Sequence, residues 1–141
     1  MRINSKTDIG KKRSSNQDAY FAGELENGAV LGIVCDGMGG MAAGNIASEQ
    51  TTSVVSKALE QNLSPKASSK FILNLLKTSV ESANATVFDM ASKNEELRGM
   101  GTTVVVAIIA DDSVYIAHVG DSRAYILSDG KLNQLTKDHS F

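Results

Sequence analysis

The apolar run from Ala29 to Cys35 stops at an acid, and glycines crowd in behind it: Asp36-Gly37-Met38-Gly39-Gly40. A run of this length reads as a buried strand, so the chain must supply a layer to cover it. The glycines let the backbone turn sharply and approach its neighbours closely. Asp36 is then an acid delivered by a rigid strand into a crowded loop, with the Gly37 carbonyl left accessible. Oxygen donors so placed suit a hard divalent cation. Asp-Gly also forms ordinary turns, and on local grounds both readings stand.

Two further polar segments bear on the choice. Arg13-Ser14-Ser15-Asn16-Gln17-Asp18 precedes the short apolar stretch Ala19 to Ala22. An arginine fork matches phosphate oxygens two at a time, and a carboxylate five residues on can serve a cation. Val119-Gly120-Asp121-Ser122-Arg123-Ala124 sets another glycine and acid between two β-rich runs. Taken singly, each segment also reads as a solvated loop.

The elements follow in a clear order. Strand-like runs occupy Arg2 to Ile9, Ala19 to Ala22 and Ala29 to Cys35, and Asn27-Gly28 between the last two is a strong hairpin cue. Ala43, Ile46, Ala47, Val54, Ala58 and Leu59 then repeat at helical spacing from about Met41 to Asn62. Ser64-Pro65 reads as an N-cap with proline at the first helical position. The second helix runs to about Lys93 with the stripe Phe71, Leu75, Leu76, Val80, Ala83, Val87 and Met90. The short connection predicts two antiparallel helices lying side by side. From Thr102 the pattern returns to strands: Thr102 to Ala110, Val114 to Val119, Arg123 to Leu127 and Lys131 to Leu135. These form an expected antiparallel meander, turning at Asp111-Asp112, Gly120-Asp121 and Asp129-Gly130. Strands, then helices, then strands fit an α+β layering.

Composition excludes several classes. The chain has 141 residues, the length of one ordinary domain, and 42% are hydrophobic, enough for a core. A net charge of -2 gives no case for a nucleic-acid partner. The longest apolar stretch, Val104 to Ala110, is far too short to span a bilayer. No basic-then-apolar signal opens the sequence, so the expected location is cytoplasmic. The lone cysteine, Cys35, lies within the buried strand and reads as a structural thiol.

Five segments, taken together and in order, resemble one family. RSSNQD, DGMGG, the Gly101-Thr102-Thr103 turn, GDSRA and Leu135-Thr136-Lys137-Asp138-His139-Ser140 are similar to motifs of the metal-dependent serine/threonine protein phosphatases of type 2C, in their bacterial branch. The resemblance covers the whole chain but only the N-terminal portion of that family's domain. It implies an antiparallel β-sandwich flanked by two long antiparallel helices, a four-layer fold that would be incomplete here. It implies dephosphorylation of phosphoserine and phosphothreonine proteins, the products of a serine/threonine kinase, by a water activated between two metals. Mn2+ or Mg2+ would serve, two ions with a third in the complete domain. Asp36 would lie between the two metals, the Gly37 carbonyl would bind one, and Asp18 would stand beside their waters. Arg13 would hold the substrate phosphate, and Asp121 would bind the additional metal. The local alternatives are a surface ion pair for Arg13, a loop cap for Asp18 and a plain turn for Asp121.

Other residues carry lesser expectations. Arg123 reads as structural, paired with a nearby acid. His118 reads as a packed, hydrogen-bonded histidine on its strand, and His139 has no assigned chemical step. Many eukaryotic members have histidine at the position of Met38, where it is proposed to protonate the leaving alkoxide. A thioether cannot donate a proton. The alternative from another class is a non-catalytic phosphoprotein-binding or regulatory module of the same fold. A chain ending at Phe141 is expected to expose apolar strands, to self-associate or dissolve poorly, and to turn over weakly or not at all.

Overall fold

A computed structural model describes residues 1–40, 43–64 and 66–140 of the chain. Its elements are β1 (Asp18–Glu24), β2 (Val30–Met38), α1 (Ala43–Asn62), α2 (Ser69–Lys93), a single 3-10 turn (Glu95–Leu97), β3 (Gly101–Thr102), β4 (Val104–Ala110), β5 (Ser113–Val119), β6 (Tyr125–Ser128) and β7 (Lys131–Gln134). The main sheet is antiparallel in the order β1-β2-β4-β5, and the short β3 pairs with the end of β2. The result is the expected α+β arrangement of antiparallel sheets and two long helices. Met41, Pro65 and Phe141 lie outside the described residues, and with them the expected helix start at Met41 and the proline at the second helix's first position.

Asn27-Gly28 does turn the first hairpin. Gly28 adopts a φ of 83°, which a side chain would resist. Asn27 accepts from the Ala29 N–H at 2.9 Å and donates to the Leu63 carbonyl at 3.0 Å, tying the turn to the end of α1. Both strands outrun their apolar cores. β2 continues past Cys35 through Asp36 and Gly37 to Met38, so Asp36 sits within a strand and not in the loop beyond it. That geometry removes the ordinary-turn reading of Asp36-Gly37.

β2 alternates in burial, and its odd residues face the helices. Leu31, Ile33 and Cys35 join Val104, Val106 and Ile108 of β4 beneath Val55 and Leu59 of α1 and Ile72, Leu76 and Ala83 of α2. A second small cluster joins Ala43 and Ala47, early in α1, to Val87, late in α2. These two pairings show the helices running antiparallel. Burial raises the Cys35 thiol above its ordinary pKa, which keeps it protonated and inert.

Several expectations need correction. Arg2 to Ile9 is not a strand: it is exposed and has no ladder partner among the described residues, and an extended segment alone cannot satisfy its backbone. Ser64 does not cap the second helix. Ser68 does, accepting from the Phe71 N–H at 3.2 Å, because Ser64 is spent on a turn in which its carbonyl accepts from Ala67. Phe71 consequently points outward, and Ile72 takes its expected buried place. The strand from Thr102 is broken at Thr103. The meander also divides: β4 and β5 pair in the main sheet, while β6 and β7 form a separate two-stranded sheet turned at Asp129-Gly130. Among the described residues this hairpin is all there is of a second sheet.

Candidate metal centre

The β1–β2 register places Asp18 directly opposite Asp36. Both acids project from the face of the sheet away from the helices. The Asp36 carboxyl is raised above the ordinary aspartate pKa, first by partial burial. The charge of Asp18 comes next, together with a hydrogen bond between the two carboxyl groups. Arg13 pulls the other way, and Asp121 adds a smaller push upward. A raised Asp36 carboxyl facing a second carboxylate, beside a backbone carbonyl, fits a hard divalent cation whose charge would relieve the repulsion. Among the described residues no group of three or more His, Cys, Asp or Glu side chains closes into a metal-holding cluster. Asp121 is therefore near enough to act through its charge but is not drawn together with Asp18 and Asp36.

The backbone around these acids is tightly held. The Gly37 N–H donates to the Gln17 carbonyl at 3.0 Å, and Ser48 Oγ of α1 donates to the same oxygen at 2.8 Å. Gln17 Nε2 reaches the Gly39 carbonyl at 3.3 Å. A Cβ at Gly37 would lie 2.1 Å from the Gly44 carbonyl oxygen, so only glycine lets β2 meet the first turn of α1. Asp36 is gripped at both backbone groups: its N–H donates to Thr103 Oγ1 at 3.0 Å, and its carbonyl accepts from the Thr103 N–H at 2.9 Å.

The local alternatives can now be weighed against positions. Arg13 is exposed and makes no ion pair among the described residues. Asp18 does not cap its loop; Asn16 does, its Oδ1 accepting from the Asp18 N–H at 3.1 Å. The Asp121 carboxylate has no hydrogen bond among the described residues and follows Gly120, whose φ is 104°. Arg123 is structural as expected, bridging to Asp138 at 2.7 Å. His118 is packed, but its Nδ1 is buried without a hydrogen-bond partner among the described residues. It stacks on His139 with ring centroids 4.6 Å apart. Burial, then His139, lower its pKa below the ordinary histidine value, while Asp138 acts in the opposite sense.

Some participants escaped the sequence reading. Gln17, Ser48, Thr103 and Ser122 hold the site through contacts between distant segments, and only the motif membership of Gln17, Thr103 and Ser122 hinted at them. His139 also acquires a role: its N–H donates to the Gly120 carbonyl at 2.9 Å and its Nδ1 accepts from the Gly120 N–H at 3.3 Å. A groove of about 1210 Å³ runs from Met38 and Thr102 along α2 to Phe88, with Arg98 among its lining residues and neither Asp18 nor Asp36.

The family model described as protein phosphatase 2C matches residues 9–141. The chain belongs to the protein phosphatase 2C family. It is 39% identical over 140 residues to the serine/threonine phosphatase stp of Listeria monocytogenes, covering 99% of this chain and 55% of that protein. It is 33% identical to the serine/threonine protein phosphatase PstP of Mycobacterium tuberculosis over 141 residues, all of this chain and 26% of that one. Among solved structures, Stp1 of Staphylococcus aureus superposes with a TM-score of 0.86 at 36% identity, over 96% of this chain and 52% of that chain. The PstP catalytic domain, in complex with two manganese ions, gives a TM-score of 0.83 at 33% identity, over 96% and 55%. The chain thus spans about half the length of the stp relative and of the solved phosphatase chains it matches.

Proposed function

We propose that these residues are the N-terminal part of one catalytic domain of a cytoplasmic, metal-dependent protein serine/threonine phosphatase that acts in signalling. The observation that carries this reading is the Asp18–Asp36 pair, set face to face by strand register with Arg13 exposed beside it. Asp36 and the Gly37 carbonyl would hold the cations, with Asp18 alongside and Asp121 serving an additional ion. Mn2+ or Mg2+, when bound, supplies a lowered water pKa and positive charge against the phosphoryl oxygens. Arg13 binds the phosphate of a phosphoserine or phosphothreonine side chain through paired, charge-assisted hydrogen bonds. Thr103, Gln17 and Ser48 keep the acid-bearing backbone in place. The substrates are phosphoproteins made by a serine/threonine kinase.

In this reading further carboxylates complete the cation set from beyond residue 141, and the 141-residue chain alone turns over weakly or not at all. The bare sheet face and hairpin β6–β7 expose Tyr20, Val34, Val114, Leu127 and Leu132. Such apolar surface drives self-association of the chain by itself. The test is hydrolysis of a phosphothreonine peptide, with and without Mn2+, by the 141-residue chain and by a protein extended to the relatives' length. The expected result is Mn2+-dependent turnover by the longer protein alone, with light scattering showing assembly of the shorter one. Full activity of the longer protein in excess EDTA would overturn the two-metal reading. Phosphopeptide binding without turnover at either length would instead favour a non-catalytic binding module.

A further inference from the structure

We propose that Thr103 is a positioning residue whose hydroxyl couples the Gly120–Asp121–Ser122 loop to the backbone of Asp36, so that a cation held at Asp36 senses the state of that loop. The proposal rests on the reading of Asp36 as a cation ligand and concerns how Thr103 and Ser122, neither of them a ligand in that reading, act on it.

Thr103 occupies the break between β3 and β4 and is buried. It takes both backbone groups of Asp36, one with its N–H and one with Oγ1. A hydroxyl has one proton and two lone pairs. The Asp36 N–H fills one lone pair, and Thr103 Oγ1 lies 2.6 Å from Ser122 Oγ. The Asp36 backbone and the Ser122 side chain therefore meet at a single oxygen. A shift of Ser122 must move that oxygen or break a short, partly buried hydrogen bond, and both reach Asp36.

The methyl group of Thr103 adds a second contact. A Cβ on residue 120 would come within 2.7 Å of Thr103 Cγ2, so the loop closes onto the threonine only because that residue is glycine. The other side of the loop is clamped. His139 brackets Gly120 with two hydrogen bonds, and Arg123 is forked onto Asp138. Held on one side by residues 138–139 and on the other by Thr103, the loop has little room to move without moving Asp36. Asp121 and Asp36 also repel through space, and that part does not pass through Thr103.

The experiment separates the two routes. Mn2+ alone is titrated by isothermal calorimetry into the protein extended to the relatives' length, and exchange of the Asp36 amide is followed by NMR. Ser122→Ala leaves Asp121 and Asp36 untouched. It should nevertheless speed Asp36 amide exchange and weaken Mn2+ binding about threefold to tenfold, as loss of one ordinary hydrogen bond would. Thr103→Val should weaken binding at least as much, and Thr103→Ser, which keeps the hydroxyl, should restore it to within about twofold. The double variant Thr103→Val with Ser122→Ala should be no weaker than Thr103→Val alone, because both remove one path. Unchanged amide exchange in Ser122→Ala, or single effects that multiply in the double variant, would overturn the coupling. Failure of the unaltered longer protein to bind Mn2+ would count against the cation reading, and the amide exchange would still decide whether Ser122 reaches Asp36.

Discussion

Ile33 and Val34 are neighbours on one strand and live in different surroundings. Ile33 is 1% exposed beneath the two helices, and Val34 is 52% exposed on the opposite face. The same division runs across the sheet. The covered face carries Leu31, Cys35, Val104, Val106 and Ile108, all buried, with no acid or base in the cluster. The opposite face carries Asp18 and Asp36, exposed Tyr20, Val34 and Val114, and His118, which His139 covers. One face supplies cohesion and the other carries the candidate site. Pleating lets a single strand serve both, since consecutive side chains point to opposite sides.

This division makes the effects of substitution separable. Asp36→Asn in the longer protein should abolish Mn2+-dependent turnover, since a neutral amide cannot serve as an anionic bridge between cations. The same change should alter folding stability by less than about 1 kcal/mol, because the side chain is exposed. Phosphopeptide kinetics and urea unfolding check the two halves of that statement. A large stability loss would mean that the bare face also holds the fold together.

Next in size is the contrast between the neighbouring apolar residues. Ile33→Ala should cost about 2–5 kcal/mol of stability through lost burial and the cavity left behind. Val34→Ala should cost less than about 1 kcal/mol if its face is bare. Equal losses in urea denaturation of the 141-residue chain would show that the exposed face is covered in solution, as self-association would do. Arg13→Ala should then lower kcat/KM on a phosphopeptide about tenfold to a hundredfold, the worth of about 1.5–3 kcal/mol for a charge-assisted contact. Mn2+ affinity should barely change, and unaltered kinetics would reduce Arg13 to a surface residue.

The smallest expected effect is on pH dependence. Because the folded chain raises the Asp36 pKa, it holds that proton more tightly than the unfolded chain does. This contribution to stability is complete below the ordinary aspartate value and is lost as pH rises through the raised one. Mn2+ competes with the proton, so its binding should strengthen over the same interval. Thermal unfolding of the metal-free chain at a series of pH values should show a shallow decline there that Asp36→Asn flattens. No difference between the two proteins would mean that the facing carboxylates are more widely separated in solution.

Much of this was legible in residue order because it is local. The Asn27-Gly28 turn, the alternation along β2 and the helical spacing from Ala43 to Leu59 each declare themselves within a few residues. The acids of the candidate site were singled out for a different reason: their motifs resemble a family's. What stayed hidden depends on partners far along the chain. Thr103 meets Asp36 and Ser122 across long loops, and neither contact has a local signature. Ser64 looked like a helix cap because serine before proline suits one, yet Ser68 was available and won. Arg2 to Ile9 has strand composition, but a strand exists only where another backbone lies beside it. The packed state of His118 was readable from alternation; its stacking on His139 was not.

The pairing of Asp18 with Asp36 has a consequence for which parts of the chain can vary. The two acids belong to opposite arms of one hairpin, and they meet because the arms are paired without a slip from Glu24↔Val30 outward. The segment 25–29 touches neither acid, yet its length works as a ruler for both. One residue added there, if taken up as a register shift, would turn Asp18 toward the helices and set Ala19 opposite Asp36; one removed would set Gln17 there instead. Leu25 and Ala29 of that segment are held by the core, Gly28 by its backbone and Asn27 by its bonds, and the count of residues is held by the site at the other end. The address of the proposed cation site is written in a loop at the far end of the strands that carry it.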